Sequence, residues 1–125
     1  RETGEFVVNL VDEASASVMN DTSGEFEHEI SEVERFHLET LPSVGVTPPR
    51  LAAAPVALEC REWSTLEIGR NRLVIGLIDR IHTREGVLDP ESLLVNPDAF
   101  SPIGRMEVPS GYCRTHDRFE MKRPD

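Results

Sequence analysis

Four histidines are the residues whose chemistry would be easiest to recognise in this chain. They lie far apart, at His28, His37, His82 and His116, so a metal site would need the fold to bring them together. The sequence contains no glycine-rich phosphate loop, no nucleophile elbow and no helix with two metal-binding histidines. Residue types and spacing alone therefore do not disclose an activity, and His82 is best interpreted as a surface or hydrogen-bonded histidine.

One group of polar side chains follows a predicted short helix. Residues 12–19, with Asp12 as the N-cap, are typical of a helix that stops at a cluster of turn-forming residues, 20–24. Asn20, Thr22 and Ser23 in this cluster could donate hydrogen bonds to a ligand. Hydrogen bonding at the helix end explains the same residues without a ligand, so both interpretations stay open.

A second polar group lies towards the C-terminal end. Arg105, Tyr112 and Arg114 could assemble a site for an anion or for an aromatic ring. Salt bridges to an acidic surface explain the two arginines equally well. Proximity in the fold would have to decide between these interpretations.

A β-hairpin is the element that would have to organise these groups. Apolar residues from Val56 onward alternate with Glu59, Arg61 and Glu67, which predicts a strand with one core face and one solvent face. Turn-forming residues follow at 69–71, and the alternation then resumes. Two antiparallel strands are not stable alone in water, so other strands must cover their apolar face. The sequence predicts a mostly β domain with minor α structure.

Three further segments have recognisable patterns. Ser31–Glu34 has the arrangement of a capping box and predicts a second helix to about Leu38. Prolines between residues 41 and 55 predict an extended connection. Residues 89–94 predict a helical turn, and residues 96–109 an irregular segment with one short strand at most.

Composition limits the class of protein. The 125 residues suffice for one soluble domain, and the net charge of -10 argues against a nucleic-acid groove. No apolar run approaches the roughly 18 residues needed to span a bilayer, and no secretory signal is visible, so cytoplasm is the default compartment.

Cys60 and Cys113 have neither disulfide nor zinc spacing, and Cys60 is predicted to be a buried thiol. Trp63, on the polar parity, could cover a second core or an interface.

Several segments, in their order and spacing, resemble the flavin reductase-like, FMN-binding split-barrel family. They are GEFVVNLVDEA at 4–14, VMNDTS at 18–23, TPPRLAAAPVALEC at 47–60 and NRLVIGLIDRIH at 71–82, and residues 104–124 resemble the C-terminal segment of one bacterial branch. The resemblance implies a Greek-key split β-barrel with flanking short helices, usually a homodimer with FMN near the subunit interface. It implies an oxidoreductase that passes electrons from NAD(P)H to flavin or to a flavin-linked acceptor.

The resemblance also indicates where the cofactor would lie. It makes Asn20, Thr22, Ser23, Tyr112 and Arg114 the candidates for the cofactor neighbourhood. Because the hydride chemistry belongs to the flavin, such a protein needs no side-chain acid, base or nucleophile. The turn at residues 69–71 departs from the Gly-Asp-His of some relatives, so a nicotinamide-binding role is not transferred to it.

The chain resembles the C-terminal two-thirds of a family member. On this interpretation residues 1–125 form one domain that lacks the N-terminal strands and the phosphate-binding Lys-Asp-Thr segment, and Arg1–Gly4 is the last turn of a preceding helix. The barrel would then be incomplete, with an exposed sheet edge. The alternative function is a non-catalytic structural or dimerisation fragment of such a protein.

Overall fold

The strands outnumber the helices in the computed structural model, which describes residues 4–22, 24 and 31–125. The elements in chain order are β1 (Glu5–Asn9), a 3-10 turn (Glu13–Ser15) that leads into α1 (Ala16–Thr22), α2 (Glu32–Arg35), β2 (Thr40–Leu41), β3 (Arg50–Leu51), β4 (Val56–Ile68), β5 (Asn71–Thr83), β6 (Ile103–Arg105) and β7 (Tyr112–Arg114). The prediction of a mostly β chain with short helices is confirmed.

The β4–β5 hairpin is the centre of the fold, as the sequence predicts. Ile68 pairs with Asn71, so the turn contains only two residues, and Gly69 has the left-handed φ of 59° that glycine adopts without strain. Strand β1 pairs antiparallel with the other edge of β4, which makes the order β1-β4-β5. Strands β2–β3 and β6–β7 form two small separate pairs. The described sheets do not close on themselves, which agrees with an incomplete barrel.

The strict alternation predicted along β4 is wrong at Glu59. This side chain is fully buried, although its parity predicts solvent exposure. The register with β5 shifts between Glu59 and Cys60 and again between Glu62 and Ser64, and such shifts re-aim the side chains of a strand. A loop that crosses Glu59 at Val44 covers its carboxylate. Cys60 is buried, as predicted.

The two helices begin as predicted but end elsewhere. Asp12 caps the first helix, because its carboxylate accepts from the Ser15 amide at 3.1 Å. This helix continues to Thr22 instead of stopping at Met19, and the Thr22 hydroxyl donates to the Met19 carbonyl at 2.7 Å. The capping box is not formed, since the Ser31 side chain makes no capping hydrogen bond.

The second helix is shorter than predicted because His37 reverses the chain. His37 has a left-handed φ of 51°. Its amide donates to the Glu34 carbonyl, and the Leu38 amide donates to the Val33 carbonyl at 2.9 Å. This pattern closes a helix at its C-terminus, usually with glycine at the reversed position.

The helical turn predicted at 89–94 is a turn built on the Asp89 carboxylate, which accepts from the two amides at 91 and 92.

The core is small and lies at the start of β4. Its buried apolar members include Val46, Val56, Ala57, Cys60 and Val87. The outer part of the hairpin instead exposes large apolar side chains: Trp63, Leu66, Ile68, Leu73, Val74, Ile75, Leu77, Ile78 and Ile81. The sequence predicts that other strands cover the apolar face of the hairpin. Among the described residues, much of that face remains exposed. None of the described helices is long and apolar enough to cross a membrane.

Candidate functional site

A cleft of about 400 Å³ lies between α1 and the β6–β7 pair. This volume is within the range of small-molecule sites. The cleft is lined by Glu13, Ala16, Ser17, Met19, Asn20, Ile103, Ser110, Tyr112, Cys113 and Arg114. Three of the five predicted cofactor neighbours, Asn20, Tyr112 and Arg114, therefore meet in one cleft, although about ninety residues separate Asn20 from the other two along the chain.

The other two predicted residues are not in this cleft. Thr22 lines a second cleft, also of about 400 Å³, which lies between α1 and the segment around β3. Successive helical residues turn by about 100°, so side chains two positions apart on α1 lie on nearly opposite sides. That rotation separates Thr22 from Asn20. Ser23, like His28, falls outside the described residues.

The β6–β7 pairing explains why the C-terminal group forms one face. Arg105 pairs with Tyr112, and Ile103 pairs with Arg114. Side chains alternate along a strand, so these four residues share one face of the two-stranded ladder. The connecting loop is held by the Met106 amide, which donates to the Gly111 carbonyl at 2.9 Å.

The two arginines of this face have different partners. Arg114 donates to the Glu13 carboxylate from Nε at 2.8 Å and from Nη2 at 2.6 Å, and both side chains are more than half exposed. This hydrogen bond lowers the pKa of Glu13, against a smaller opposing effect of desolvation, and it raises the pKa of Arg114. The salt bridge ties β7 to the beginning of α1. For Arg114, the salt-bridge interpretation of the sequence is confirmed.

Among the described residues, the hydrogen-bond partners of Arg105 are uncharged groups. Its guanidinium donates to the Tyr112 hydroxyl and to the Pro109 carbonyl, each at 3.3 Å. Its central carbon lies 5.4 Å from the centroid of the Tyr112 ring, within the range of a cation–π contact. The aromatic member of the cleft is therefore oriented by a cation.

The cleft is equipped for binding more than for proton transfer. Asn20, Tyr112 and Arg114 provide polar groups, and Met19 and Ile103 provide apolar wall. The Glu13 carboxyl, whose pKa Arg114 lowers from the ordinary 4.5, is an acceptor at neutral pH and not a proton donor. Within the described part of the chain, no group of three or more histidine, cysteine or acidic side chains is arranged to hold a metal ion.

Sequence reasoning did not include Glu13 or Cys113 among the site residues. Glu13 directly follows the N-cap Asp12, so the predicted helix start already placed an acidic side chain in its first turn. The pairing of that side chain with Arg114, 101 positions away, has no signal in a single sequence. Cys113 enters the cleft wall through the β6–β7 pairing, which was likewise not predicted.

Comparison with known proteins finds a family model and relatives that match the sequence of this chain. The family model described as "Flavin reductase like domain" matches residues 1–104. A protein of Deinococcus radiodurans whose function is uncharacterised is 40% identical over 121 residues, which cover 96% of this chain and 53% of the relative. The chain spans about half the length of the curated relatives it matches. The expectation that it is the C-terminal two-thirds of a member is not borne out by these matches.

Solved structures show the same fold. The 2-nitrobenzoate 2-nitroreductase NbaA of Pseudomonas fluorescens aligns with a TM-score of 0.89 and 38% identity, covering 98% of this chain and 61% of that one. A protein from Shewanella frigidimarina with a split-barrel domain aligns with a TM-score of 0.81 and 14% identity, over 98% of this chain and 62% of that one. At that identity the likeness concerns the fold alone, and the fold is a split barrel.

Proposed function

This chain belongs to the family of flavin reductase like domains, and from that premise we propose that it forms part of an FMN-binding oxidoreductase. In this proposal, electrons pass from NAD(P)H to flavin, or onward to a flavin-linked acceptor. The observation that carries the proposal is the cleft in which Asn20, Tyr112 and Arg114 converge, in a chain whose family match extends over residues 1–104.

The lining of the cleft suits a flavin by its chemistry. A flat heteroaromatic ring needs apolar walls and a few polar groups that fix its orientation, and Met19, Ile103, Asn20 and Tyr112 provide both. A bound flavin supplies the hydride-accepting chemistry. The residues of this chain would hold and orient it from the two walls of the cleft, between which the exposed Glu13–Arg114 salt bridge runs.

Five residues make up the proposed cofactor neighbourhood. Asn20, Tyr112 and Arg114 would contact the ligand from the walls of the cleft. Thr22 and Ser23, two and three positions after Asn20 in the sequence, stay in the proposed set on the family resemblance, since Thr22 lines the other cleft and Ser23 lies outside the described residues. We further propose a cytoplasmic homodimer, which is supported by the exposed apolar surface of the hairpin.

The structural likeness to a nitroreductase suggests one acceptor class. NbaA is a 2-nitrobenzoate 2-nitroreductase and is 38% identical to this chain. A small nitroaromatic compound is therefore a flavin-linked acceptor to test beside free flavin.

The test is an FMN titration of the full chain, followed by fluorescence quenching and then by NADH and NADPH oxidation with and without 2-nitrobenzoate. We expect saturable binding with a stoichiometry near one. Tyr112→Ala should weaken FMN binding, whereas Phe119→Ala, in the exposed C-terminal tail, should leave it unchanged. A folded chain that binds no FMN would contradict the proposal.

A structural or dimerisation module is the second candidate function. The observation that favours it is the exposed apolar side of the β4–β5 hairpin, which a second chain could cover. A chain that is folded and dimeric but colourless, and that has no measurable affinity for FMN, would support this candidate over the first.

A further inference from the structure

Arg105 keeps a positive charge that no carboxylate of the described residues pairs with. Its hydrogen bonds go to the Tyr112 hydroxyl and the Pro109 carbonyl. Arg114, on the same face of the β6–β7 ladder, is by contrast paired with Glu13.

The guanidinium of Arg105 also has further N–H groups that can donate hydrogen bonds. A guanidinium carries five N–H groups, and two of them donate to the described residues, both at 3.3 Å, which is long for an N–H···O hydrogen bond. The acidic side chain closest in sequence, Glu107, packs against Gly111 within the connecting loop and forms no ion pair with Arg105. The remaining donors can therefore be offered to an anion.

The position of Arg105 is set in advance of any ligand. The Pro109 carbonyl and the Tyr112 hydroxyl hold its head group beside Tyr112, which lines the cleft, although Arg105 itself is not a lining residue. A group that is ordered before binding loses less conformational entropy when a ligand arrives. Tyr112 lines the cleft and contacts Arg105, so one ligand could touch both residues.

We propose that Arg105 and Tyr112 form an anion subsite at the edge of the cleft, which binds the carboxylate or phosphate of an aromatic ligand. The anion is recognised by the guanidinium fork, and the ring by Tyr112 and the apolar wall formed by Met19 and Ile103. This inference rests on the proposed function, and it adds to it that one reactant is an anionic aromatic molecule. The anion has two possible sources, the phosphate of FMN itself or a carboxylate on a second reactant.

The test compares the binding of an anionic ligand with that of its neutral counterpart in Arg105→Gln. The matched control is Arg70→Gln, which removes the same charge from the exposed tip of the hairpin. One experiment measures FMN against riboflavin, which lacks the phosphate. The other measures benzoate against benzamide by direct binding to the full chain without flavin. In the unaltered chain and in Arg70→Gln we expect the anionic partner of at least one pair to bind about tenfold more tightly.

The two experiments distinguish the FMN phosphate from a carboxylate as the bound anion. They also distinguish failure of the anion subsite from failure of the proposed function. Loss of the FMN preference in Arg105→Gln assigns the phosphate to the subsite, and loss of the benzoate preference assigns a carboxylate. If neither preference changes relative to Arg70→Gln, or if the unaltered chain has neither, the subsite does not exist. Failure of the chain to bind any flavin would overturn the proposed function, while the benzoate experiment would still decide on the subsite.

Discussion

Glu59 is a carboxylate enclosed by hydrogen-bond donors. It is fully buried, and it accepts from the Val44 amide at 3.0 Å, from the Gly45 amide at 2.7 Å and from the His82 ring. Burial alone would raise the pKa of this carboxyl, but the hydrogen bonds outweigh it and lower the pKa to about 2. The carboxylate thus attaches a surface loop and the end of β5 to the middle of the sheet.

The lowered pKa of Glu59 predicts acid sensitivity. Because the folded-state pKa of about 2 lies below the ordinary value of 4.5, the ionised group stabilises the fold above pH 4.5. That stabilisation is lost as the pH falls from 4.5 towards 2. Thermal unfolding of Glu59→Gln at pH 7 should show a Tm lower by several degrees, and the difference from the unaltered chain should shrink across this pH window.

Glu67→Gln is the control for this prediction. Glu67 lies on the same strand but is exposed, with Arg72 as its partner at 3.1 Å. Its substitution should leave the Tm almost unchanged. Equal effects of the two substitutions at pH 7 would show that burial and the amide hydrogen bonds of Glu59 do not stabilise the fold.

The Glu13–Arg114 pair predicts an asymmetry in ligand binding. If Arg114 contacts the cofactor, Arg114→Gln should weaken FMN affinity by about tenfold. Glu13→Gln releases the same arginine from its salt bridge without removing it, so FMN affinity should be kept or improved. Titration of both variants checks this, and equal weakening would mean that the pair only positions α1 against β7. Neither change should alter the Tm much, because the pair is exposed.

At the scale of elements, β1 and β5 are packed together across β4 by one aromatic ring. Gly76 on β5 lies under the Phe6 ring of β1, where an added Cβ would be 2.5 Å from Phe6 Cζ and 3.3 Å from the Arg61 carbonyl oxygen. Glycine in a strand interior normally weakens the strand. Here the lack of a side chain allows the ring to cross the sheet.

Gly76→Ala should therefore destabilise the chain by about 1 to 3 kcal/mol, the usual cost of overpacking. Without the clash, the same change would be expected to stabilise a strand by reducing the freedom of the unfolded chain, so the sign of the effect is informative. Urea unfolding measures it. In the double variant Gly76→Ala/Phe6→Leu the loss should be smaller than the sum of the two single losses, and strict additivity would exclude the Phe6 contact as the cause.

At the scale of the whole molecule, the hairpin exposes more apolar surface than an isolated chain normally does. Leu73, Leu77 and Ile81 on β5 are each at least half exposed, and β5 is the edge strand of the three-stranded sheet. An edge strand of 13 residues with apolar side chains invites pairing with another chain.

The chain should accordingly associate with increasing concentration. Light scattering should give masses that rise above the 14.0 kDa of one chain. Leu77→Lys should shift the population towards the monomer, because it places a charge in the hairpin surface that a second chain would cover. Leu94→Lys is the control, since Leu94 is exposed but lies outside the hairpin. A mass of one chain at all concentrations would exclude the hairpin as an association surface for this chain.

Local patterns in the sequence determined the hairpin, the turn at Gly69, the helix start at Asp12 and the burial of Cys60. Each depends on neighbours within a few positions, where periodicity and turn chemistry act directly. Local patterns also indicated the polar candidates Asn20, Tyr112 and Arg114. They did not show that these three residues share a cleft.

Tertiary structure alone decided the features that depend on distant pairs. The parity of β4 predicted Glu59 in solvent, but the loop at 43–47 crosses it and the sheet register shifts beside it, so a charge is buried with three donors. The same applies to the pairing of Arg114 with Glu13. The physical reason is that the energy of a buried or paired charge depends on groups far away in sequence, and a local pattern carries no information about them.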